Sequence, residues 1–290
     1  MASSTTVGGA GVSLLEAPPA PPASPSRRRP LHGKGKAVGL SLVMTYLSII
    51  VLIPLAAVVW RSQSNGLSGF IHAITTPEAA STLKLTIYSS LLVAAINMVM
   101  GTAIAWVLVR DKLPGRTFLD TLIDLPFALP TIVAGLALLT VYGPNSPLGV
   151  DLAYQRAGVV VALLFVTLPF VVRTVQPVLM ELDTEMEQAA ASLGARPGTT
   201  FVRIILPNMF PAMAAGTALA FARSMSEFGS TVLISGNIPF QTQVASVHVY
   251  NQLESDNVTG AAAVSTVLLI VSLVVLVGLD MLQRWAARRG

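Results

Sequence analysis

A series of long apolar segments, separated by short polar stretches, dominates this sequence. They run at about residues 38–60, 82–109, 117–141, 157–179, 208–235 and 261–282. A helix needs about 20 apolar residues to cross the hydrocarbon core of a bilayer. Only 11% of the residues are charged, whereas soluble domains need about 25% to cover their exterior. The sequence therefore predicts an all-α, polytopic membrane protein with about six transmembrane helices, and it excludes an ordinary water-soluble domain.

The first 37 residues differ in composition from the rest of the chain. They are rich in Ala, Pro, Ser and Gly and carry a basic cluster at 27–29 and two lysines, Lys34 and Lys36. Such a segment buries too little apolar surface to fold. We therefore predict a disordered cytoplasmic tail at 1–37 and a transmembrane domain at 38–290. The apolar run at 38–60 is too long for the core of a signal peptide, so we interpret it as an uncleaved first span.

Basic residues between the spans predict the orientation of the chain. With the amino terminus inside, the inner segments contain the clusters at 27–36, 110–116, 196–203 and 284–289, and the outer segments contain only Arg61, Lys84 and Arg156. Cytoplasmic segments of membrane proteins carry an excess of Lys and Arg. This asymmetry predicts that both termini, and the segment at 180–207, face the cytoplasm.

Several residues inside the spans are unusual for a lipid environment. Pro126, Pro130 and Pro169 predict kinked or divided helices, which either border a cavity or are simple packing bends. Arg173 lies near the inner end of its span, and we expect it to extend toward the interface. Asp120 and Asp124 begin the third span, where the positive end of the helix dipole favours them. Asn97 is expected to form a hydrogen bond between helices.

The polar segment after the fourth span predicts a short surface helix from about Asp183 to Leu193. Thr184 is placed to cap it, and acidic residues follow in its first turns, where they oppose the helix dipole. Gly194 lets the chain leave the helix abruptly, and Pro197 prevents it from resuming. The face formed by Met186, Ala189, Ala190 and Leu193 is apolar. The result is an amphipathic helix presented to the cytoplasm.

This segment resembles the EAA loop of binding-protein-dependent ABC importers, at about residues 183–207. The matching positions are Gln188, Ala189, Ala190, Gly194, Leu206 and Pro207. The resemblance implies the type I (MetI-like) permease fold and a coupling helix that fits a cleft on the ATPase subunit, and we include Glu187 among the coupling residues. The family pattern begins with Glu where this chain has Gln188. Glu187 cannot simply replace it, because adjacent side chains of a helix diverge by about 100°. An ordinary amphipathic helix is the alternative.

A second segment, RSMSEFGSTVLISGN at 223–237, is similar to the corresponding part of sulfate and molybdate permeases. Its continuation at 238–254 looks more like the T subunit of sulfate and thiosulfate importers (CysT). Arg223 and Glu227, four residues apart, are predicted to share one face of the fifth span. We take Arg223, Ser226 and Glu227 as candidate residues of the translocation path. A buried structural ion pair between Arg223 and Glu227 is the alternative.

The sequence lacks the features of an enzyme. No GxxxxGK[ST] phosphate loop, HExxH or GxSxG motif occurs, and the three histidines, His32, His72 and His248, are scattered. The resemblance implies a non-catalytic sulfate and thiosulfate permease of the cell membrane, without a cofactor of its own. Its expected partners are a W-type permease, two ATP-binding subunits and an extracytoplasmic sulfate-binding protein. The alternatives are a molybdate or tungstate ABC permease and an ion-coupled secondary transporter.

Overall fold

The computed structural model describes residue 3, residues 33–111 and residues 114–287. The chain divides into two units, Met1–Ile50 and Val51–Gly290. Most of the predicted tail lies outside the described residues. Helix α1 spans Gly33–Leu47, so the prediction of a disordered tail is wrong for residues 33–37.

Most of the remaining described residues are also helical, and no strand forms in the ranges given above. A π-helical turn at Ser48–Leu52 joins α1 to α2. The other helices, in chain order, are α2 (Ile53–Ser62), α3 (Gly66–Thr75), α4 (Pro77–Arg110), α5 (Arg116–Ala128), α6 (Thr131–Tyr142), α7 (Arg156–Glu181), α8 (Thr184–Ser192), α9 (Pro197–Thr200), α10 (Leu206–Met225), α11 (Gly229–Ile234), α12 (Ala245–Glu254) and α13 (Val258–Ala287).

Five helical stretches within the described residues are long and apolar enough to cross a membrane. They are Val38–Ser62, Pro77–Arg110, Arg156–Glu181, Pro197–Met225 and Val258–Arg284. A sixth candidate is the pair α5 and α6, which meet at an angle of 114°. The prediction of an all-α membrane protein with about six spans is therefore confirmed.

Two of the predicted spans are not single helices. The segment at 117–141 divides at Leu129 and Pro130, because proline cannot donate the backbone hydrogen bond that would continue a helix. The segment at 208–235 is interrupted between α10 and α11, where Ser226 leaves the helical conformation. Pro126 and Pro169 lie inside continuous helices.

The core of the second unit forms where α4, α7 and α10 meet. Val171 and Val172 of α7 are fully buried there with Met209. Gly101 and Gly216 allow this contact, since a Cβ atom on either would stand 2.8 Å from an atom of Val171. Small residues at helix crossings let membrane helices approach closely.

The buried Asn97 joins α4 to α7 through a hydrogen bond. Its Nδ2 atom donates to Oγ1 of Thr167 over 2.8 Å. The prediction of an interhelical hydrogen bond at Asn97 is therefore confirmed.

Arg173 is held by acidic residues of α5. Its Nε atom donates to Asp124 over 2.7 Å, and Nη1 donates to Asp120 over 2.8 Å. The sequence prediction for Arg173, that it extends toward the interface, did not include these two partners. A guanidinium presents several donors in a fixed fork, and the two carboxylates satisfy them. The cluster fastens the first half of the divided span to α7.

Candidate functional site: the loop helix and two adjacent helix breaks

The loop helix α8 is defined at both ends by local chemistry. Asp183 caps its amino end, since Oδ1 accepts a hydrogen bond from the Glu185 amide over 2.8 Å. The sequence prediction had assigned this cap to Thr184, which instead forms the first residue of the helix. At the other end Gly194 has φ of +79°, a left-handed conformation that glycine adopts without strain. The helix therefore begins and ends close to the predicted residues.

Much of the predicted apolar face of α8 is open. The side chain of Leu193 is 89% exposed and that of Met186 is 40% exposed. Gln188 and Ala189 are also exposed. Only Ala190 is buried, and its carbonyl oxygen accepts a hydrogen bond from the Ala195 amide. This face of α8 is therefore not covered by the rest of the described chain.

Glu187 turns away from this open face and joins α8 to the membrane domain. Its Oε1 atom lies 2.5 Å from Nη2 of Arg110, the last residue of α4. The Arg110 guanidinium also lies 5.4 Å from the centre of the Trp106 ring, a cation–π distance. The position next to Gln188 thus holds a carboxylate that contacts the protein's own helix.

The segment after α8 connects the loop to a long helix. A π-helical turn at Phe201–Ile205 leads directly into α10, with Leu206 and Pro207 as its first residues. Ile205 is buried in the core formed with α4 and α7. Phe201 packs edge-on against Trp106, with ring centroids 5.4 Å apart. A displacement of the loop would therefore act directly on α10 and α4.

The two interrupted spans lie next to each other at their breaks. A Cβ atom on Gly135 of α6 would stand 2.7 Å from the carbonyl oxygen of Ser230 in α11. A Cβ atom on Gly229 would stand 2.8 Å from the amide nitrogen of Ile132. Since Gly229 opens α11 and Ile132 is the second residue of α6, the amino ends of the two helices adjoin. Interrupted helices occur at membrane depth only where protein or a cavity satisfies the free backbone groups.

Glu227 occupies the break between α10 and α11, outside the helix that was predicted to carry it. Its side chain is only 1% exposed, and Oε2 lies 2.7 Å from Nη2 of Arg223. Its Oε1 atom accepts hydrogen bonds from the amide and hydroxyl of Ser230. The prediction of one continuous helical face was wrong, because the helix ends at Met225. The ion pair forms nevertheless across the turn.

The other two candidate path residues are more open than Glu227. The Arg223 side chain is 31% exposed. Ser226 is exposed, and its hydroxyl donates to the Arg223 carbonyl over 3.1 Å. Within the described residues no group of three or more His, Cys, Asp or Glu side chains is placed to hold a metal ion.

The family of the chain follows from sequence comparison. Residues 97–289, which include the loop helix and both helix breaks, match the family described as the inner membrane component of binding-protein-dependent transport systems. The chain belongs to this family.

Within the family, the permease resembles proteins named as CysT sulfate transport permeases. It is 44% identical to the CysT protein of Synechocystis, over 92% of this chain and 97% of that protein. It is 40% identical to CysT of Escherichia coli strain K12, over 91% and 97%. A protein of Nephroselmis olivacea, described as a probable cysT permease, is 45% identical over 84% of this chain and 88% of its own.

Solved ABC transporters share the fold of the permease. A chain of a bacterial alginate ABC transporter, crystallised with an alginate-bound periplasmic protein, aligns with a TM-score of 0.71 and covers 87% of this chain and 94% of its own. A chain of the MetNI methionine transporter aligns with a TM-score of 0.53 over 73% of this chain and 99% of its own. The sequence identities are 17% and 16%, so these structures identify the fold alone.

The sequence indicated the loop helix but missed the residues that hold it in place. Arg110 lies 77 positions before Glu187 and was read only as a topology signal. Gly135 and Gly229 carry no sequence signal beyond their residue type. Their role depends on how α6 and α11 approach each other, which local patterns do not encode.

Proposed function

We propose that this permease is the membrane-spanning subunit of an ABC importer that moves sulfate, and thiosulfate with it, into the cytoplasm. The observation that carries the substrate class is its identity of 40–45% with CysT permeases over 84–92% of its length. We further propose that both termini are cytoplasmic, as the distribution of basic residues predicts. The partners are a W-type permease, two ATP-binding subunits and an extracytoplasmic sulfate-binding protein, and ATP is bound by the ATP-binding subunits.

In this proposal the loop helix α8 transmits closure of the ATP-binding subunits. Its exposed residues Met186 and Leu193, with Gln188 and Ala189 beside them, offer the surface for docking. The ion pair between Glu187 and Arg110 transfers force from α8 to α4. Leu206 and Pro207 transfer it to α10, which they begin. Glu187 thus acts as the anchor of the coupling helix rather than as part of its docking face.

We propose that the anion passes beside the adjoining helix breaks. A desolvated dianion is held best by amides, hydroxyls and a partly neutralised cation, which accept its charge without trapping it. Arg223 fits this role because Glu227 offsets its charge while 31% of its side chain remains open. Ser226 supplies a nearby hydroxyl. Glu227 itself is too buried to meet the anion, so its part is to orient Arg223.

Transport in cells that lack other sulfate importers tests this function. The tagged chain, expressed with its neighbouring subunits, should restore uptake of labelled sulfate, and excess thiosulfate should compete with it. Inhibition by molybdate in place of thiosulfate would assign the permease to molybdate and tungstate. An ATPase should copurify with the tagged chain. If none does, and uptake collapses when the proton gradient is removed, a secondary transporter replaces the importer.

A further inference from the structure

A cavity at the end of the membrane domain opposite the loop helix combines cations with an apolar wall. It encloses about 440 Å³ between α4 and α7, and its lining includes Lys84, Tyr88, Leu92, Arg156 and Val160. Arg110, at the carboxyl end of α4, binds the loop helix. Lys84 and Arg156 are near the amino ends of α4 and α7, so the cavity lies toward the other side of the membrane.

The two cations of this cavity are not neutralised by a carboxylate among the described residues. Neither Lys84 nor Arg156 takes part in an ion pair there, and the cavity has no acidic lining residue. Arg156 is held in place by the carbonyl oxygens of Gln241 and Phe240, to which Nε and Nη2 donate over 3.0 and 3.4 Å. Arg156 also begins α7, where the helix dipole adds positive potential. These charges favour an anion.

The wall below the cations is suited to a hydrocarbon chain. Lys84, Tyr88 and Leu92 follow each other at intervals of four residues, so they form a stripe about 12 Å long on one face of α4. All three are exposed, and Tyr88 is 70% exposed. Along this stripe the side chains change from charged to amphipathic to apolar. That order matches a lipid from its phosphate to its acyl chain, with Tyr at the interface.

We propose that this cavity binds an anionic phospholipid, with the phosphate at Lys84 and Arg156 and an acyl chain along Leu92 and Val160. Charge complementarity selects an anionic headgroup over a zwitterionic one. The apolar wall selects a lipid over a free oxyanion, because sulfate gains nothing from contact with leucine and valine. The site is independent of the substrate assignment and would place a lipid in the leaflet opposite the loop helix.

Lipid titration of the purified full-length complex in detergent tests the site. Bound phosphatidylglycerol is counted by native mass spectrometry, with phosphatidylcholine as the zwitterionic comparison. Phosphatidylglycerol should bind more tightly than phosphatidylcholine. Lys84→Gln should weaken it about five-fold, the factor that corresponds to ~1 kcal/mol for one cation near an anionic surface. Arg61→Gln is the matched control, since it removes a cation from the same end of the domain but outside the cavity.

The arginine is tested by two substitutions, because it also holds backbone carbonyl groups. Arg156→Lys keeps the charge and should retain phosphatidylglycerol, whereas Arg156→Gln should weaken binding about as much as Lys84→Gln. Equal binding of the two lipids, or no loss in Lys84→Gln relative to Arg61→Gln, would overturn the proposal. The proposal would also be overturned if labelled sulfate bound to the lipid-free complex and Lys84→Gln abolished that binding, since the cavity would then be a substrate site.

Discussion

Removal of Arg223 should destabilise the permease more than removal of both members of its ion pair. Glu227 is 1% exposed, and its Oε2 atom has no aligned hydrogen-bond donor among the described residues. In Arg223→Gln this carboxylate would remain buried without its counter-charge. Breaking a buried pair from one side costs about 3–5 kcal/mol. We expect the lower end, about 3 kcal/mol, because the Arg223 side chain is 31% exposed.

The double variant Arg223→Gln/Glu227→Gln should recover much of this loss. A glutamine at 227 keeps an oxygen acceptor for the Ser230 amide, as Glu227 provides now, and it carries no charge. Neutral replacement of a buried ion pair is often close to neutral in stability. The cost of the double variant should therefore be about 1 kcal/mol. The loss of stability in Glu227→Gln alone should lie between those of the double variant and Arg223→Gln, since the Arg223 side chain can turn toward its open side.

Thermal unfolding of the purified complex in detergent measures these differences. About 3 kcal/mol corresponds to a fall in Tm of roughly 6–12 °C for a chain of this size, and 1 kcal/mol to 2–4 °C. A Tm for the double variant at or below that for Arg223→Gln would refute the reasoning, because the charge of Glu227 would not be the source of the loss. Sulfate uptake then separates the two roles of Arg223. We expect the double variant to regain stability without regaining uptake; full recovery of uptake would assign Arg223 a structural role alone.

Substitutions at three further positions test the loop helix and the contact between α5 and α7. Gly194→Val should lower sulfate uptake per ATP hydrolysed while Tm stays within a few degrees. Gly194→Asn should lower uptake less, because Asn tolerates the left-handed backbone conformation of this position. Equal losses of uptake in the two variants would show that the left-handed conformation is not what Gly194 supplies. Gln188→Glu should keep or raise the stimulation of ATPase activity by loaded binding protein, and a large loss would contradict docking through the exposed face of α8. Arg173→Gln should lower Tm by roughly 4–8 °C, the equivalent of ~2 kcal/mol, because Asp120 and Asp124 lose their cation. The Tm of Arg173→Lys should lie between that of Arg173→Gln and that of the wild type.

Sequence periodicity predicted the parts of this fold that depend on local chemistry. The length of the apolar runs identified the membrane segments, and Gly194 followed by Pro197 identified the end of the loop helix to within about two residues. The cap of that helix was assigned one residue too late. Asp183 and Thr184 are both good capping residues, and the backbone conformation that decides between them is set by the end of α7.

Contacts between distant segments could not be predicted in this way. The pairing of Arg173 with Asp124 and Asp120 was missed because these residues are 49 and 53 positions away in the sequence. The sequence prediction also treated α10 and α11 as one span, because the mean hydropathy of a segment does not reveal a turn at Ser226. Both errors have the same cause. A charge or a break inside lipid is tolerated only when another segment compensates for it, and a single sequence does not show which segment that is.

The two helix breaks lie where the function is proposed to lie. α5 and α6 are divided at Pro130, and α10 and α11 are divided at Glu227, although a continuous helix would satisfy its own backbone in lipid at no cost. The protein instead places the amino ends of α6 and α11 together and admits no side chain at Gly135 or Gly229. Gly135→Ala should therefore force the breaks apart at a cost of about 1–3 kcal/mol. If the anion passes there, uptake should fall more than Tm, whereas Gly278→Ala, in an open part of α13, should change neither.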